Sequence, residues 1–182
     1  INNTGGKLNN IGTIRVKSGQ TKALPDTIGG RVEFLQQGST SQQVIPNIVY
    51  NQLVIGNTAL KLISDERKDG DNVRSIIVRD SLIVQDTADF TNQWIGLKSA
   101  EVQARSTVKN TARYHSSKDL VFNGEEKAQD LLGDGRFSRI RIENKLGVDV
   151  RGGGFKIEEN LTLKEGELRN SAENNFSIAD SG

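Results

Sequence analysis

The chain of 182 residues holds one histidine, no cysteine and no methionine, so few side chains could do chemistry. His115 lies in Tyr114-His115-Ser116-Ser117. To act as a general base it needs a nucleophile within hydrogen-bond reach and a carboxylate to orient it. No nucleophile elbow accompanies it, so a solvated or locally hydrogen-bonded histidine is expected, with a Ser-His-Asp arrangement left open. Oxygen ligands for a hard cation crowd into Asp65-Glu66-Arg67-Lys68-Asp69-Gly70-Asp71-Asn72. Measured against a helix-loop-helix calcium site, Asp65, Asp69 and Gly70 take the first, fifth and sixth places. Arg67 takes the third, and Ile76 stands where the bidentate glutamate belongs. A solvated loop is the expectation there. Acids also recur at one spacing, Asp80 with Glu159 and Asp86 with Glu165. Two carboxylates about 5–10 Å apart would suit glycoside cleavage, whereas recurrence at equivalent corners suits turn chemistry. Gly152-Gly153-Gly154 lacks the following Lys-Ser/Thr and helix of a phosphate loop and reads as a tight corner. No catalytic, cofactor-binding or metal-ligating residue is assigned, and no cofactor is expected.

The elements that would position any site are strands. Apolar and charged residues alternate in Thr13 to Lys17, Arg31 to Phe34, Arg139 to Glu143, Gly147 to Arg151, Phe155 to Glu158 and Leu161 to Lys164. That period places aliphatics on one face of a strand and charges on the other. Gly29-Gly30, Gly56-Asn57, Gly133-Asp134-Gly135 and Gly152-Gly153-Gly154 separate the strands and supply corners. The best helical candidate is Glu125 to Leu132, and internal repetition argues against it. Asn2-Asn3, Asn9-Asn10 and Asn174-Asn175 suit either simple turns or stacked amide ladders. Trp94, Tyr50 and Tyr114 are scattered rather than gathered into a sugar-stacking face.

Composition narrows the function classes. Lys plus Arg is 24 against 23 Asp plus Glu, a balance that makes no electrostatic case for nucleic acid or an anionic membrane. No apolar run nears the ~18–20 residues of a membrane-spanning helix. The absence of cysteine excludes disulfides and thiolate metal sites. A polar start at Ile1-Asn2-Asn3, with no visible signal peptide and no methionine, suggests a mature product or an excerpt of a longer polypeptide.

The repeat is the strongest long-range signal. Val32-Glu33-Phe34 aligns with Leu120-Val121-Phe122 at an offset of 88, and Ile14 with Val102 at the same offset. Gln43-Val44-Ile45 meets Gln129-Asp130-Leu131 at 86, Leu53 meets Ile140 at 87, and Leu60-Lys61-Leu62 meets Val148-Asp149-Val150 at 88. Beyond that the offset drops: Val78, Asp80, Leu82, Val84 and Asp86 meet Ile157, Glu159, Leu161, Leu163 and Glu165 at 79. The chain thus reads as two modules, about 1–90 and 91–182, the first with a polar loop inserted near 64–72. Strand–corner units without helices or long hairpins are what stacked coils need. In SIIVRDSLIVQD (Ser75 to Asp86), Ile76, Val78, Leu82 and Val84 would point inward on two adjacent faces joined at Arg79-Asp80. Ile77 and Ile83 break the strict alternation.

Three stretches carry a resemblance: INNTGGKLNNIGTIRVKSG from Ile1, GRVEFLQQGSTSQQVIPNIVYNQLVIGN from Gly30, and LVFNGEEKAQDLLGDGRFSRIRIENKLGVDVRGGGFKIEENLTLKEGELRN from Leu120. Together they resemble the coils of bacterial extracellular parallel β-helix proteins of the adhesin-like kind, departing from them in carrying charges where those coils favour Thr, Ser and Asn. The resemblance implies one all-β, right-handed parallel β-helix domain over 1–182, with about 22 residues per coil, roughly eight coils and a rod of about 38 Å. It also implies a structural or adhesive, non-enzymatic role at the bacterial cell surface or in a filament, with glycan contacts as further candidates. The alternatives are a carbohydrate-active β-helix enzyme of the polysaccharide lyase or hydrolase type, and a non-catalytic sugar- or calcium-binding module. The expected partner is a further coil, from flanking repeats or from a second copy stacked head to tail. In that contact Leu8, Ile11, Ile14 and Val16 of one copy would cover Phe176 and Ile178 of the next.

Overall fold

A short strand with one aliphatic face gains stability only when another strand covers that face, and here parallel neighbours do so. The computed structural model describes residues 6–16, 24–38, 42–57, 60–63, 68–69, 72–73, 75–85, 95–97, 101–171 and 173–179. These form an all-β parallel solenoid without a helix. On a first face Ile28, Tyr50, Val78, Ala104, Phe122, Ile142 and Leu163 stand in successive register. A second face aligns Val32, Leu53, Leu82, Val108, Leu131 and Val150. A third aligns Tyr114, Phe137, Ile157 and Ile178 above Ile95–Leu97. Gln42–Ile45 and Leu60–Ile63 pair separately, also in parallel.

Ile28 to Leu163 makes about six turns, fewer than the eight expected. One turn takes 18 residues, from Ala104 to Phe122, and another takes 28, from Tyr50 to Val78. The long turn carries the polar insertion, where Lys68–Asp69 pairs antiparallel with Asn72–Val73. The rest of that loop, with Asp65, Gly70 and Asp71, lies outside the described residues.

The interior follows the alternation. Ile76, Val78, Leu82 and Val84 are buried, Ile77 and Ile83 half-buried, Arg79 and Asp80 exposed. Ile76–Gln85 is one bent strand, whose first half pairs with Val102–Ala104 and second half with Thr107–Asn110. The third face packs aromatic rings in sequence, Tyr114 on Phe137, Phe137 on Phe155 and Phe155 on Phe176, with centroids 6.1, 5.9 and 4.9 Å apart. The helical candidate resolves into a corner and the strand Gln129–Leu132. The Gly152-Gly153 corner has φ of +84° and +57°, a left-handed backbone that glycine adopts without strain.

Lys61 is fully buried in register with the buried Gln43. Ile11, expected in the contact with a further copy, is fully exposed in the single chain. The residues aligned by the internal offset also fall on different faces: Val32 on the second and Leu120 on the first, Val78 on the first and Ile157 on the third. Each pair is separated by three turns and two faces.

Candidate functional site: a charged groove at the first corner

Where the first face passes to the second, the lower turns need only two residues, Arg79-Asp80 and Arg105-Ser106. The next turn spends Asn123 to Ala128 between the strands Leu120–Phe122 and Gln129–Leu132. The longer loop overhangs the short corners and leaves a groove of about 400 Å³. Arg79, Asp80 and Arg105 from the short corners and Glu125, Glu126 and Lys127 from the longer loop line it.

The loop is fixed from inside by Gln129, which is 1% exposed. Its Oε1 accepts from the Gly124 N–H at 2.7 Å, and its Nε2 donates to the Ala104 and Ser106 carbonyls, both at 2.8 Å. Asn144 Nδ2 donates to Gln129 Oε1 at 3.1 Å and to the Lys127 carbonyl at 3.0 Å. The groove therefore has a rigid roof. Asp80 accepts from Gln52 Nε2 at 2.7 Å. Arg79 and Arg105 are exposed and have no carboxylate partner among the described residues, whereas every other described arginine is ion-paired. Nothing in the sequence marks these two apart, because their isolation depends on what the neighbouring turns present.

A second groove, of about 460 Å³, lies above the loop beside Glu143, Lys145 and Glu165. Burial pushes the Glu143 carboxyl upward, but hydrogen bonds from Lys164 and Arg141 outweigh it and hold the group below its ordinary value.

The other sequence candidates do not assemble. His115 Nδ1 lies 3.8 Å from Glu159, whose other oxygen lies 3.8 Å from Arg139. Strand alternation turns Ser116 to the opposite side. It is 1% exposed, and its Oγ accepts from the Lys118 N–H at 3.1 Å. His115 and Ser116 therefore do not form a nucleophile–base pair. Asp80 and Glu159 occupy separate corners and Glu165 the second groove; Asp86 lies outside the described residues. Tyr50 and Tyr114 belong to the core, and Trp94 lies outside the described residues. Asn10 binds the backbone of its own corner, while Asn174 Nδ2 donates to Val150 O in the turn below at 2.9 Å. These are corner contacts to backbone, not stacked amides; Asn2 and Asn3 lie outside the described residues. Among the described residues no group of three or more His, Asp or Glu side chains is arranged to hold a metal ion, and no helix is long and apolar enough to cross a membrane.

The chain matches no family model, and no curated protein or solved structure is significantly similar to it.

Proposed function

We propose that the chain is a structural, rod-forming segment of a bacterial extracellular surface or filament protein, continued by further turns of the same polypeptide or of another copy. One observation carries this reading. The inward positions of the first face are 0–1% exposed from Ile28 to Ile142, but Leu163, at the next register position, is 53% exposed. Ile178, which continues the third-face column of Tyr114, Phe137 and Ile157, is 50% exposed. Leu161, Leu168 and Phe176 are only partly covered. Uncovered inward aliphatics beside unpaired strand edges favour one more rung. We take the winding to be right-handed, the hand that parallel crossovers strongly prefer.

The two-module reading has support at the glutamine corners. Gln43 Oε1 accepts from Gln36 N–H at 3.1 Å, and its Nε2 donates to Val16 O at 2.8 Å. Gln129 makes the same pair of bonds to Gly124 and Ala104, and both partners lie 88 residues on.

Sedimentation velocity over a range of concentrations tests the stacking. The expected result is concentration-dependent end-to-end association that is lost when Asn175 to Gly182 are deleted, with the β-sheet circular dichroism of the remaining turns retained. A chain that stays monomeric at high concentration, with no effect of the deletion, rules out stacking between copies.

A further inference from the structure

We infer that the groove beneath the Asn123–Lys127 loop binds an acidic polysaccharide, with Arg79 and Arg105 holding its sugar carboxylates. The inference does not depend on the rod reading, because it concerns a lateral corner rather than an end. Val78 pairs with Ala104, and Arg105 N–H donates to Val78 O at 2.8 Å. The two arginines therefore stand one turn apart, on strands about 4.8 Å from each other. Guanidinium groups take carboxylates through paired, charge-assisted hydrogen bonds. On the rest of the described surface arginine is already neutralised by Asp or Glu, so this corner is where an incoming anion meets uncompensated guanidinium. The loop that roofs the groove is bound to the turns on both sides of it through Gln129 and Asn144. Such a roof loses little freedom when a ligand enters.

The groove also identifies the kind of anion. Asp80, Glu125 and Glu126 share it with Arg79, Arg105 and Lys127. A phosphodiester chain and a uronate chain both carry a charge at each unit, but the phosphodiester backbone offers no hydroxyl donors to those carboxylates. A uronate chain brings hydroxyl donors for them and carboxylates for the arginines. Both tyrosines are in the core, so recognition here rests on charge and hydrogen bonding rather than on stacking.

Calorimetric titration of the whole chain with a short galacturonate oligomer at low ionic strength tests the inference, with a neutral glucose oligomer of equal length and a single-stranded oligonucleotide as parallel arms. The expected result is binding of the galacturonate oligomer alone, weakened by added salt. Arg79→Ala or Arg105→Ala should weaken it about tenfold each, the loss of one charge-assisted contact. Both side chains are exposed and unpaired, so melting temperature should stay the same in these variants. Arg151→Ala, on the second face, should leave binding unchanged. No binding, equal binding of the neutral oligomer, equal or tighter binding of the oligonucleotide, or indifference to both groove substitutions would each overturn it.

Discussion

Gln129 shows how much one buried amide can organise. It satisfies a backbone N–H of its own turn and two carbonyls of the turn below, and receives Asn144 from the turn above. Removing it strands those groups in an interior where each unpaired one costs about 1–3 kcal/mol. Gln129→Ala is expected to lower unfolding free energy by about 3 kcal/mol in urea denaturation. Loss of less than about 1 kcal/mol would mean that water takes over the contacts. Gly166 illustrates a different local demand. Its φ is +78°, and a Cβ there would collide with the Asn144 carbonyl, so the corner above the groove requires glycine on both counts.

At the scale of the strand, charges on the outer faces pair between turns. Asp149 is held below the ordinary carboxylate range, chiefly by the hydrogen bond from Arg169, with burial opposing and Arg151 adding to the effect. For Glu33, burial acts upward but is outweighed by Arg15 and Arg31, so its carboxyl is also lowered. A carboxylate with a lowered folded-state pKa adds stability above its unfolded value, about 4. That contribution is lost as pH falls through the lower folded value. Melting temperature should therefore hold steady from neutral pH down to about 5 and fall below about 4. Asp149→Asn should cost a few degrees at neutral pH at most, because the pair is partly exposed and screened. The gap from the parent should narrow as pH falls below about 4, toward the lowered folded value. A gap that stays unchanged as the carboxylates protonate would show that the aspartate acts through packing rather than charge.

For the whole molecule, each turn touches only the turns beside it, so stability varies along the axis. Hydrogen exchange should be slowest in Leu120–Phe122 and Arg136–Glu143, which have a covered neighbour on each side. It should be faster in Thr13–Arg15, Leu168–Asn170 and Phe176–Ile178. Uniform protection from end to end would contradict this picture. That the strands aligned by sequence lie three turns and two faces apart follows from the same architecture. A strand–corner unit answers to local packing, and the faces are alike enough that one sequence pattern can serve on any of them.

Much of this was written locally in the chain. Alternation in Ile76 to Val84 gave the inward set, and the glycines at 133, 152 and 153 gave corners, because strand pleat and left-handed backbone are properties of a few adjacent residues. The alternation of Phe176 and Ile178 about Ser177 was legible for the same reason. The number of turns was not, since it depends on how many residues each turn consumes and on which turn lies alongside. The groove belongs to that second kind. Arg79 and Arg105 are 26 residues apart, and their carboxylate neighbours at 125 and 126 belong to the next turn. Sequence determined that the chain forms stacked strands; only the winding decided which arginines meet a carboxylate and which remain open to a ligand, because that pairing is set by register between turns.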